Sequence, residues 1–98
     1  MTYLHAVGRK GEAIGLLQAV LADRQRVLGP DHPDTLASRN DLAAGYGAAG
    51  QPDEAIALYQ VALADCERVL GPSHPLTVTV RENAASTSES ARPEGPEA

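Results

Sequence analysis

Leu28-Gly29-Pro30-Asp31-His32-Pro33 returns with one substitution as Leu70-Gly71-Pro72-Ser73-His74-Pro75, a period of 42 residues. Laying residues 11–39 over 53–81 gives 17 identities in 29 positions, so the chain is built from copies of one supersecondary unit. Within the motif, Gly29 and Gly71 can take positive φ after a last helical turn, and Pro30 and Pro72 forbid continuation. Pro33 and Pro75 carry the φ suited to the first position of a helix. The motif therefore closes one helix and opens the next. Asp31 with Asp34 is expected to help satisfy the free amides of the new helix; the second copy, with Ser73 and Leu76, retains only the capping residue.

Working outward, apolar residues at Ala13, Ile14, Leu17, Val20, Leu21 and Val27 follow helical spacing and predict a helix over 12–28. Pro33 opens a helix over 33–49 that carries Leu36, Leu42, Ala43 and Tyr46 and ends among small residues. Gly45 and Gly47 there lower helix propensity by up to about 1 kcal/mol each, an expense that close backbone packing offsets. Gly50-Gln51-Pro52 makes a turn, and Asp53 and Glu54 occupy the positive first turn of a helix over 52–70. A short helix over 2–8, ended by Gly8, and a fading one over 75–85 complete the pattern. Gly8-Arg9-Lys10-Gly11 reads as a turn. Residues 86–98 are polar, acidic and proline-containing, and predict a disordered tail. Leu4 aligns with Tyr46, so the first repeat reads as truncated.

Composition agrees with an all-helical reading. The 98 residues are 43 % apolar without Trp or Phe, and that apolar mass is mainly Ala, Leu and Val. A net charge of −5 with scattered Lys and Arg argues against nucleic-acid binding. No apolar run approaches the roughly 20 residues that span a bilayer. Met1-Thr2-Tyr3-Leu4-His5 does not resemble a secretory leader, and one cysteine makes no internal disulfide, so a cytoplasmic setting is expected.

These residues resemble the tetratricopeptide repeats, in particular the 42-residue form seen in kinesin light chains and in bacterial helical-repeat regulators. Leu42-Ala43-x-x-Tyr46-x-x-x-Gly50 is similar to the family's first helix and turn, and Ala55-x-x-x-Tyr59-x-x-Ala62 to its second. Ala13-x-x-x-Leu17-x-x-Val20 repeats the latter. Arg39 stands where the family has a bulky residue, and the family's terminal proline is absent. The resemblance implies an all-α fold over residues 1–85, with antiparallel helix pairs stacked as a short right-handed solenoid of about two repeats.

The resemblance also implies a non-catalytic scaffold or adaptor that binds a peptide or partner helix in a concave groove lined by the first helices. Carried onto this chain, the groove positions are Ala37, Asn40, Ala44, Gly47 and Ala48, with Arg39 at the edge. The flanking copies would add Thr79, Glu82 and Ser86, and Thr2, His5 and Ala6. Asn40 can both donate to and accept from a peptide backbone, and the small residues let that backbone approach. An alternative is a terminal piece of a longer array, such as follows a signalling ATPase, or a fragment that self-associates through Tyr3, Leu4 and the neighbouring helix.

No catalytic, metal or cofactor residues are expected. His32 and His74 recur, but equivalent positions of successive repeats lie at least one helix spacing apart, about 8–10 Å, too far to share a metal ion. Each precedes a proline at a helix start and fits a turn. Cys66 replaces Arg24 and reads as a small filler rather than a nucleophile.

Overall fold

The computed structural model describes the backbone of residues 2–91 and the side chains of residues 11–90. Four helices follow one another: α1 (Thr2–Leu28), α2 (Pro33–Ala48), α3 (Pro52–Leu70) and α4 (Pro75–Ala91). Each packs on the next, and α2 also meets α4. Among the described residues α1 and α3 do not touch. Like helices of successive repeats thus approach on one side only, which makes α2 and α4 the inner layer and α1 and α3 the outer layer of a short all-α solenoid.

Two boundaries differ from the sequence expectation. The turn expected at Gly8-Arg9-Lys10-Gly11 is absent, and residues 2–28 form one helix of 27 residues. The second copy of this turn contains Pro52, which cannot donate to a helix; its counterpart in the first copy is Lys10, which can. Intrahelical hydrogen bonds therefore continue through Gly8 and Gly11. The last helix runs to Ala91 rather than ending at 85. Residues 86–91 contain no proline or glycine to stop it; Pro93 follows two residues later. The rest of the expected tail, residues 92–98, lies outside the described residues, as do the side chains of Thr2, Tyr3, Leu4, His5 and Ala6.

The recurring motif works as its glycines and prolines require. Gly29 and Gly71 have φ of 95° and 93°, and Gly50 closes the shorter turn at 82°. The capping group is the histidine, not the expected aspartate. His32 is the N-cap of α2, and its Nδ1 accepts the Asp34 amide at 3.0 Å; His74 Nδ1 accepts the Leu76 amide at the same distance. Asp31 is engaged elsewhere. Its two carboxylate oxygens accept from Arg68 on α3 at 2.9 and 3.3 Å, and this guanidinium holds the Asp31 carboxyl below its ordinary pKa. Arg68 also bonds Asp65, whose other oxygen accepts from Arg39 on α2 at 3.3 Å. Arg39 in turn donates to Pro30 O at 3.2 Å, and its counterpart Arg81 to Pro72 O at 3.4 Å. In each copy the same arginine ties the new helix back to the turn that launched it.

The core comprises Leu36 and Ala43 from α2, Ala55, Tyr59, Ala62 and Cys66 from α3, and Val80 from α4. One exchange within the repeat explains Cys66. Between α1 and α2, Arg24 donates to Ser38 Oγ at 3.0 Å and to Asp34 O at 3.1 Å. Between α3 and α4 the counterparts are Cys66 and Val80, both fully buried. A polar clasp has been replaced at both ends by apolar packing, so Cys66 fills space opposite Val80, and burial pushes its thiol pKa up. A further difference follows the same axis: Thr35 Oγ1 donates to Gly29 O at 2.8 Å, whereas the buried hydroxyl of Thr77 has no partner among the described residues.

The cap assignment is testable by equilibrium unfolding. His32→Ala and His74→Ala each remove an acceptor for a helix N-terminal amide and should cost about 1 kcal/mol. Serine or aspartate at the same position should restore most of that loss.

Candidate functional site: the cleft between α2 and α4

The inner layer is open where α2 and α4 diverge. A cleft of about 430 Å³ lies there, lined by Ala44, Gly47 and Ala48 from α2, Gly50 from the turn, Pro52 and Tyr59 from α3, and Ser86, Thr87 and Ser90 from α4. Its walls arise from the repeat. Ser86, Thr87 and Ser90 stand 42 residues after Ala44, Gly45 and Ala48, so one small-residue wall faces a copy of itself in which hydroxyls have been added. Tyr59 is the floor and is buried. Burial raises its phenol pKa, the Thr87 hydroxyl beside it opposes that shift, and the charge of Asp41 adds to it.

The two α2 glycines expected to permit close packing do so unequally. A Cβ at Gly45 would lie 2.8 Å from Leu17 Cδ1 on α1, a contact that only glycine avoids without moving that side chain. A Cβ at Gly47 would meet only Ala55 Cβ at an ordinary 3.8 Å. Gly47 is not needed for helix packing, and it is exposed in the cleft wall.

The other expected groove residues divide. Asn40 is one turn from Ala44 on the inner face, but it is only 9 % exposed and its Oδ1 accepts from Asn83 Nδ2 at 3.2 Å. It joins α2 to α4 one turn before the cleft wall begins at Ala44. Asn83 was not singled out in the sequence because its counterpart is Asp41, and no equivalence connects position 40 to position 83. Arg39 turns toward α3, its side chain 12 % exposed and paired with Asp65. Glu82 is exposed one turn before Ser86 on α4. Ala37 is half-buried and Thr79 exposed.

The cleft contains no carboxylate, imidazole, thiol or cation in its lining. It offers hydroxyl groups, the Tyr59 phenol and small apolar surface, which can hydrogen-bond and enclose a ligand. His32 and His74 are occupied as caps, and among the described residues no group of three His, Cys, Asp or Glu side chains could hold a metal ion. No helix of the described residues is long and apolar enough to cross a membrane.

The tetratricopeptide-repeat family model matches residues 2–67, two thirds of the chain. The chain belongs to the tetratricopeptide-repeat family, whose members generally mediate protein–protein interaction. A search of curated proteins finds no match to it.

The Asn40–Asn83 bond accounts for Asn40 as a structural residue, and a double-mutant cycle by denaturant unfolding tests this. Asn40→Ala and Asn83→Ala should each destabilise the fold by about 1 kcal/mol, with a coupling of about 0.5 kcal/mol or more.

Proposed function

We propose that the chain is a non-catalytic interaction module that holds an extended peptide in the cleft between α2 and α4. The observation carrying this reading is the exposed small-residue wall of Ala44, Gly47 and Ala48 facing the hydroxyls of Ser86, Thr87 and Ser90 across an open cleft. Small side chains let a peptide backbone approach, and hydroxyls can pair with its amides and carbonyls. Asn40 holds α2 to α4 through Asn83 beside the cleft, and exposed Glu82 gives the α4 rim a negative charge suited to a basic residue of the ligand. Arg39, committed to Asp65 and Pro30, serves the scaffold instead.

The 42-residue spacing and the repeated helix-ending motif support the kinesin light chain-like form of the repeat and its bacterial type. We further propose that the module works in the cytoplasm as part of a scaffold or regulator, with neither nucleic acid nor membrane as its partner, in keeping with the acidic balance of the chain.

Gly47→Leu tests the cleft directly. The added side chain gains helix propensity and has room at its Cβ, so thermal stability should be unchanged or higher. Peptides selected on the natural chain from an array should bind the variant at least tenfold more weakly. Unchanged binding of every selected peptide would place the site elsewhere.

A further inference from the structure

Leu16, Val20 and Val27 on α1 are 68 %, 42 % and 64 % exposed. At 3.6 residues per turn they fall within about 40° of one another, forming one apolar stripe. The opposite side of α1, with Ile14, Leu17 and Leu21, is the half-buried side that packs on α2.

The internal repeat shows what such a stripe is for. The counterparts of Leu16, Val20 and Val27 are Leu58, Ala62 and Val69 of α3. Ala62 is fully buried, and Leu58 and Val69 pack against the same core. They share the side of α3 on which Ala55 approaches Gly47 of α2 and Asp65 pairs with Arg39 of α2. The stripe that α2 covers on α3 is thus the stripe left bare on α1.

The polar residues beside it match as well. Asp23 and Arg26 are the counterparts of Asp65 and Arg68, whose partners are Arg39 on α2 and Asp31 in the turn before it. On α1 the two bond each other as Asp65 and Arg68 do, but among the described residues nothing stands in for Arg39 or Asp31, and both side chains are about two thirds or more exposed. The α4 helix of a second copy is a poor cover. It carries Glu89 and Ser88 where α2 has Gly47 and Tyr46, and its preceding turn has Ser73 where the first has Asp31. Glu89 would place a charge beside Ala13, the counterpart of Ala55.

We propose that the Leu16–Val20–Val27 face of α1 is a docking surface for a partner helix of the α2 pattern. That helix carries an apolar stripe, an arginine for Asp23, and an aspartate in its preceding turn for Arg26. This surface is separate from the cleft, on the outer layer of the solenoid.

The probe is a synthetic peptide with the sequence of residues 29–50, labelled and titrated with the full chain by fluorescence anisotropy. Saturable binding is expected. Val20→Asp or Leu16→Asp in the chain should weaken it at least tenfold while circular dichroism and the thermal midpoint stay unchanged, since both positions are exposed. Arg39→Ala in the peptide should weaken it severalfold. Absence of binding, or binding insensitive to both aspartate variants, as displacement of the chain's own α2 or entry into the cleft would give, overturns the proposal. So does a concentration-dependent dimer in light scattering that Val20→Asp abolishes, which would assign the face to a second copy.

Discussion

The packing of α2 on α3, where Leu36 and Ala43 meet Ala55, Ala62 and their neighbours, is the contact on which the rest of the structure depends. Neither helix can bury its apolar surface alone, and each has two sides to cover. The α2–α3 contact satisfies one side of both, leaving α1 to cover the other side of α2 and α4 that of α3. Repeat proteins are stabilised through such nearest-neighbour interfaces rather than around a single centre. The polar links follow the same path: Asp31, Arg68, Asp65 and Arg39 bind the first turn to α3 and α3 to α2. Most of this chain of ion pairs is exposed and contributes modestly to stability, but it fixes the register in which the apolar stripes meet.

The two copies differ in two ways around this common frame. At the outer contact, Arg24 with Ser38 became Cys66 with Val80, which replaces hydrogen bonding by burial and leaves the fold intact. At the inner surface, Ala44, Gly45 and Ala48 became Ser86, Thr87 and Ser90, which lines one wall of the cleft with hydroxyls. Leu17 against Gly45 became Tyr59 against Thr87, which places an aromatic floor beneath it. The first kind of exchange preserves an interior; the second changes the chemistry that the cleft presents to solvent.

Much of this was legible in the sequence because prolines and glycines act locally. Pro33, Pro52 and Pro75 begin helices, and Gly29 and Gly71 end them, by constraints on φ and on the missing amide hydrogen that no tertiary contact needs to supply. The same logic misled at Gly8 and Gly11, since glycine permits a break without enforcing one and Lys10 lacks the prohibition that Pro52 carries. The histidine caps could have been found: His32 and His74 each precede the proline at the first helical position, which is where a capping side chain stands. Aspartate is the commoner cap, which favours Asp31 on sequence grounds alone, but its pairing with Arg68, 37 residues away, is a tertiary event. The direction taken by Arg39 and the partnership of Asn40 with Asn83 were hidden for the same reason. Ala44, Gly47 and Ala48 were placed by a resemblance in helix register, and the cleft they line depends on the divergence of α2 from α4, which register alone does not determine.

If neighbour coverage sets stability, it must also set the order in which the helices open. Amide hydrogen exchange followed residue by residue on the natural chain tests this most directly. The slowest exchange should fall in α2 and α3, which are covered on both sides, with α1 and α4 exchanging faster and α1 fastest where Leu16 and Val20 lie bare. Uniform protection across all four helices, or protection greatest in α1, would contradict the account.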